Sequence, residues 1–283
     1  MGYQPMHLSS KHGLVAHATK HARYAMMHIA AVQLDICWED RAANHARVRK
    51  LLDPIDLPQN SLVILPEMFD TGFSMNTAVT DPGSPSASEI FCRELAAKRH
   101  VAVLAGVVSR TNDGQFANEA VAFSPDGVEL VRYRKMQPFT LAGEHMHYEA
   151  GNSPAVFEWQ GLRIAPLICY DLRFPELFRP AIRHGPELFI VVANWPTARS
   201  EHWVRLLQAR AIENQAYVLG VNRTGSDPEF QYDGRTALFD PLGKEVFQAG
   251  ADPQAFVADI DAQQVRSWRE QFPALRDAKH LQT

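Results

Sequence analysis

Apolar positions along this chain fall into short blocks of two periods. "HIAAVQLDI" (28–36) is a near-continuous apolar run and predicts a buried strand. "DRAANHARVRKLLD" (40–53) predicts a helix with Ala43, Ala46 or Arg47, and Leu51 on one face. "SLVILPE" (61–67) is a short apolar strand ended by proline and glutamate. "SASEIFCRELAAKRH" (86–100) places Ile90, Phe91, Leu95 and Ala97 at helical spacing and runs straight into the strand "VAVLAGVVS" (101–109), so the chain opens β-α-β-α-β.

The second half repeats the theme with hairpins added. "NEAVAFS" (118–124) and "VELVRYRK" (128–135) flank "PDG", a hairpin signal, and "AVFEW" and "RIAPLIC" flank "QG" in the same way. "PELFRPAIRHG" reads as a helix ended by glycine, "ELFIVVAN" as a strand, "SEHWVRLLQARAIENQ" as a helix and "AYVLGVNR" as another strand. "TALFDPLGKEVFQAG" and then "AFVADI" add further hairpin strands. Alternating strands and helices with extra antiparallel hairpins predict a mixed α/β protein, and the repeated plan in the two halves predicts internal pseudo-symmetry. No linker or low-complexity tract divides residues 28–283, which are expected to form one domain.

The first 27 residues differ in kind. They hold four of the twelve histidines and no acidic residue, with no apolar run long enough for a signal-peptide core. An ill-ordered N-terminal extension is expected there, with Met26 or Met27 a natural start for the strand that follows. Three cysteines (Cys37, Cys92, Cys169) without CxxC spacing argue against a disulfide framework and fit a reducing, cytoplasmic compartment. A net charge of −4 gives no attraction to nucleic acid or anionic membrane, and no stretch approaches the roughly 20 apolar residues of a membrane span.

Candidate chemistry collects at strand ends. "LICYDLRFPE" (167–176) carries Cys169 from an apolar strand into charge, where the carboxyl edge of an α/β sheet and the N–H groups of a following helix could hold an oxyanion and depress a thiol pKa. The plain alternative is a packing thiol, the reading given to Cys37 and Cys92. A nucleophilic thiol needs a base, and neither His184 nor His202 has the setting of a papain-like partner. Glu67 ends an otherwise apolar strand, as a base would, and Lys135 closes "VELVRYRK", where an ammonium could stabilise an oxyanion. Taken singly, Glu67 is as readily a solvated loop residue, and for Lys135 an exposed strand-end lysine is the favoured reading.

Together, "LPEMF", "RYRKMQPF" and "ICYDLRFPE" resemble the Glu-Lys-Cys triad of the nitrilase superfamily of carbon-nitrogen hydrolases, over residues 28 to about 275. "TGFSMN", "YDLRFPEL" and "NWPTARSEHW" are similar to the bacterial omega-amidase branch. The resemblance implies a four-layer α-β-β-α sandwich and a two-fold homodimer. It implies no cofactor, a small-molecule amide substrate and ammonia release from the omega-amide of a dicarboxylic keto acid such as alpha-ketoglutaramate or succinamate. An N-carbamoyl amino acid or a nitrile is the alternative substrate. It implies Glu67 as base, Cys169 as nucleophile, Lys135 and the Tyr170 backbone N–H on the oxyanion, and Glu144 supporting the lysine, with Glu149 nearby as its rival.

A substrate carboxylate calls for a guanidinium, which can fork onto two oxygens. Arg199 is preferred and Arg173 expected at the pocket edge, with Phe73, Phe139, Tyr170, Trp195 and Pro196 as candidates for an aromatic wall. "HMH" (145–147) brings two imidazoles close, yet neither HExxH nor a Cys/His pairing supplies further ligands, so no metal is expected; GxGxxG and GxxxxGK[ST] are absent.

Overall fold

A computed structural model describes residues 26–83 and 86–278. The expected leader therefore lies outside the described residues apart from its last two: Met26 is exposed, and Met27 is already the first residue of β1 (Met27–Gln33).

The first six-stranded sheet runs β14-β1-β2-β3-β4-β5, built from β1, β2 (Leu62–Ile64), β3 (Ala102–Arg110), β4 (Phe116–Phe123), β5 (Glu129–Arg134) and β14 (Gln254–Ile260). The second runs β13-β12-β9-β8-β7-β6, from β6 (Phe157–Trp159), β7 (Leu162–Ile168), β8 (Leu188–Ala193), β9 (Tyr217–Asn222), β12 (Ala237–Phe239) and β13 (Glu245–Gln248). Each has a parallel core, β1-β2-β3 or β7-β8-β9, extended on one side by an antiparallel pair and on the other by a single antiparallel strand. The pseudo-symmetry expected from the repeated plan is thus a strand-by-strand correspondence. A small hairpin, β10 (Thr224–Ser226) with β11 (Gln231–Asp233), stands apart.

Strand alternation builds the layers. Ile29, Ala31, Leu62, Ile64, Ala102 and Leu104 join one apolar core with the second sheet, while Ala30, Val32, Val63 and Val103 pack into another with α1 (Arg41–Leu52) and α3 (Ala87–Arg99). On the far face of the second sheet lie α4 (Pro175–Ile182) and α5 (Ser200–Asn214). Helix, sheet, sheet and helix form the four-layer sandwich. A short α2 (Thr77–Thr80) and α6 (Ala262–Gln271) complete the α-helices of the described residues.

Three details differ from the sequence reading. "AFVADI" does not extend the C-terminal hairpin: as β14 it crosses to the first sheet and pairs with β1 from Met27↔Ile260 to Gln33↔Gln254. In α1 the buried residues are Asn44, Val48 and Leu52, because the Asn44 carboxamide bonds the Cys37 backbone at both ends and the Asp70 carbonyl. In α3, Ile90 is exposed, and Cys92 is buried with Phe91 and Leu95.

Candidate active site

The carboxyl ends of the two parallel cores meet. Glu67 lies three residues past β2, Lys135 directly follows β5, and Cys169 directly follows β7. The pairing of β2 with β3, and of β3 with β5 through β4, brings the ends of β2 and β5 to one edge. Gly106 in β3 allows the approach: a Cβ there would stand 2.4 Å from Glu67 Cα.

Lys135 Nζ donates to Glu67 Oε1 at 2.8 Å and to Glu144 Oε1 and Oε2 at 3.0 and 2.8 Å, with all three side chains buried. Asn118 Nδ2 donates to the same two carboxylates, 2.8 Å from each. Glu67 Oε2 accepts from the Asn194 backbone N–H at 2.8 Å, and Asn194 Nδ2 donates to the Glu67 carbonyl at 2.7 Å. Glu144 Oε2 also accepts from the Phe139 N–H at 2.6 Å. Glu149, its rival on sequence, points elsewhere and pairs with Arg134 at 3.0 Å. Burial would pull the Lys135 ammonium down, yet Glu144 and Glu67 outweigh it and hold it above its ordinary value.

Cys169 opens a 3-10 turn, Cys169–Arg173, with φ of 43°, a left-handed conformation uncommon for a residue with a Cβ. The helix read from "PELFRPAIRHG", α4, begins at Pro175 as expected, so the N–H groups next to the sulfur belong to this 3-10 turn. The thiol bonds the Asn194 carbonyl at 3.8 Å. Burial pushes this thiol well above its ordinary value; Glu67 adds to the rise, Lys135 opposes it, Glu144 adds again, and the Asn194 bond opposes it. The depressed thiol expected from the sequence is therefore reversed. Tyr170 lies in the first turn, where N–H groups lack an intrahelical carbonyl.

A cleft opens beside the sulfur. Its lining includes all of the aromatic and arginine candidates, Phe73, Phe139, Tyr170, Arg173, Trp195, Pro196 and Arg199, together with Asn194, Phe230 and Tyr232. The Arg173 guanidinium lies 4.7 Å from the Trp195 ring centre and contacts His202 Nδ1 at 3.3 Å; that of Arg199 lies 5.6 Å from the Phe139 ring centre. Neither arginine pairs with a carboxylate among the described residues. His145 and His147 sit exposed at the surface.

Sequence reasoning missed Asn118, Asn194, Phe230 and Tyr232. Asn194 had a signal, since it follows an apolar strand as Glu67 and Cys169 do. Asn118 had a weaker one, a carboxamide early in the strand "FANEAVAF". Phe230 and Tyr232 belong to the hairpin β10–β11 region, which no apolar period announced.

Residues 28–270 match the family model described as carbon-nitrogen hydrolase. An omega-amidase YafV of Yersinia enterocolitica is 40% identical over 254 residues, covering 88% of this chain and 95% of that protein. The 2-oxoglutaramate amidase of Bacillus subtilis is 31% identical over 253 residues, covering 89% and 97%. Among solved structures, XC1258 from Xanthomonas campestris, a CN-hydrolase superfamily protein with an arsenic adduct in its active site, superimposes with a TM-score of 0.80. It is 36% identical, over 89% of this chain and 97% of that one. No helix among the described residues is long and apolar enough to cross a membrane.

Proposed function

The chain belongs to the carbon-nitrogen hydrolase family, and we propose that it hydrolyses the omega-amide of a small dicarboxylic acid, of the 2-oxoglutaramate or succinamate kind, through a thioester on Cys169. The observation that carries this reading is one cleft whose lining brings the half-buried Cys169 together with two guanidinium groups, Arg173 and Arg199, that have no carboxylate partner of their own among the described residues. A small anion with an uncharged amide end fits such a cleft: the carboxylate forks onto a guanidinium while the aromatic walls enclose the short chain. Relatives named omega-amidase and 2-oxoglutaramate amidase support the same substrate class.

The roles follow from charge. At rest the thiol is protonated, because its packing against protein and the nearby Glu67 and Glu144 carboxylates outweigh the Lys135 ammonium. Glu67 takes that proton as sulfur attacks the amide carbon, so negative charge passes from a carboxylate to the substrate oxygen. Lys135 and the Tyr170 N–H stabilise that oxygen. Collapse breaks the C–N bond, Glu67 returns the proton to nitrogen, and ammonia leaves a thioester. Glu67 then deprotonates water, hydroxide attacks the thioester carbonyl, collapse breaks the C–S bond, Glu67 returns the proton to sulfur, and the acyl group leaves as a carboxylic acid that ionises in solvent. Glu144 and Asn118 hold the lysine and Glu67 in place throughout.

Ammonia release by the purified protein across 2-oxoglutaramate, succinamate, glutamine, an N-carbamoyl amino acid and a nitrile tests the assignment. The dicarboxylic amides should give the highest kcat/KM. A preference for the carbamoyl amino acid or the nitrile would replace this reading with that substrate.

A further inference from the structure

One buried carboxylate beside the nucleophile has no part in the chemistry above. Asp171, fully buried two residues past Cys169, lies outside the cleft lining. Its Oδ2 accepts from the Tyr133 hydroxyl at 2.8 Å and from the Ile168 N–H at 3.0 Å; its Oδ1 accepts from the Gln137 N–H at 2.9 Å. Tyr133 and Gln137 stand two residues either side of Lys135, and Ile168 immediately precedes Cys169. A single side chain therefore ties the segment bearing the sulfur to the segment bearing the ammonium.

We infer that Asp171 is a positioning residue that holds Cys169 in its left-handed conformation and in register with Lys135, an inference that rests on Cys169 being the nucleophile. Left-handed backbone at a non-glycine residue persists only where the surroundings over-determine it. Here the turn is fixed from two sides. Asp171 within the turn ties it to the lysine segment through Tyr133 and Gln137, and Arg210 on α5 donates through Nε and Nη2 to the Leu172 carbonyl at 3.2 and 2.8 Å. Burial pushes the Asp171 carboxyl up to about 7 although Lys135 and its three donors pull it down, so the carboxylate is kept at an electrostatic disadvantage. Such a group has a purpose other than stability. Because it lies outside the cleft lining, it acts on the substrate through the placement of the sulfur and the ammonium it ties together.

The test is kinetics and thiol reactivity of Asp171→Asn, whose NH2 cannot accept the bonds that an oxygen accepts. Expected are a loss of about 10- to 100-fold in kcat with KM within about two-fold, as for a misplaced reacting group. Iodoacetamide should alkylate Cys169 more slowly by a similar factor, with cooperative unfolding retained. Unchanged kcat and alkylation, or an effect on KM alone, would overturn the inference. If Asp171→Asn does not fold, Tyr133→Phe removes one bond of about 1 kcal/mol and keeps the ring, and its kcat should fall about five-fold; wild-type kcat there overturns it as well. Cys169→Ala is assayed alongside. Turnover by that variant would defeat the nucleophile assignment itself, whereas an inactive Cys169→Ala beside a wild-type-like Asp171→Asn defeats only the positioning role.

Discussion

Lys135 Nζ donates to Glu67 Oε1 over 2.8 Å with both side chains closed off from solvent, and Glu144 holds the same ammonium from its other side. One cation therefore serves two buried carboxylates. Removing it leaves both without a counter-charge, so Lys135→Met should lower stability by roughly 3–5 kcal/mol as well as abolish turnover. Urea unfolding checks the first part; a midpoint equal to wild type would mean that these carboxylates do not depend on Lys135.

Glu144 and Glu149 lie five residues apart, and the structure separates them. Glu144 bonds Lys135, Asn118 and the Phe139 N–H, whereas Glu149 pairs with Arg134 at the surface. Glu144→Gln should cut kcat by at least about 100-fold, the range in which loss of a preorganised electrostatic partner falls. Glu149→Gln should stay within about two-fold, since exposed ion pairs contribute little. Equal losses from the two would undo the distinction.

Glu67, Lys135 and Cys169 were legible because each is a reactive side chain set at the end of an apolar run, where periodicity marks the edge of a sheet. The residues that position them were not. Asn118 and Asn194 act through carboxamides that donate to Glu67, 51 and 127 residues away, a separation that only the folded sheets close. The same limit explains β14, whose pairing with β1 joins the two ends of the described chain. For the α1 face, apolar spacing was the wrong guide, because a hydrogen-bonded Asn44 occupies a buried position that Ala43 was expected to fill. Asp171 was visible inside the quoted motif, yet its value lies in donors from β5 and the loop after it, which sequence does not pair with it.

Arg199 and Arg173 both face the cleft, and their contacts divide them. Arg173 stacks on Trp195 and touches His202, while among the described residues the Arg199 guanidinium has a ring contact with Phe139. Arg199→Ala should therefore raise KM for a carboxylate-bearing amide by about 10- to 100-fold, the loss of one charge-assisted bidentate pair. A neutral amide of the same length should be almost unaffected. Parallel KM changes for both substrates would remove Arg199 from carboxylate recognition.

Gly106 is a structural control on Glu67. A methyl group at this position meets backbone, 2.4 Å from Glu67 Cα and 2.9 Å from the Pro66 carbonyl oxygen, and neither can rotate away. Gly106→Ala must push the Glu67 segment outward, so it should destabilise the fold by about 1–3 kcal/mol and lower kcat more than it alters KM. A variant with wild-type kcat would show that the position of Glu67 tolerates displacement.

The Asp171 carboxyl also sets a pH dependence of stability whose sign is fixed by burial. Its native pKa is pushed up from 3.8 to about 7, with Lys135 and the Tyr133 hydroxyl the polar side-chain groups opposing the rise. The folded state thus holds this proton more tightly than the unfolded chain does. The resulting stabilisation is complete below pH 3.8 and is lost as pH rises through about 7. Across that window the loss is on the order of 4 kcal/mol, at about 1.4 kcal/mol per pH unit. Asp171→Asn shifts the whole stability curve but cannot titrate. The measurement is the difference in urea unfolding free energy, wild type minus Asp171→Asn, followed from pH 5 to pH 8 at about half-unit steps. That difference should decline as pH rises and level off above about 7. A flat difference would mean that Asp171 is ionised in the native state throughout. The same flat result would follow if its hydrogen-bond donors and Lys135 outweighed its burial, because both states would then be ionised from pH 5 upward.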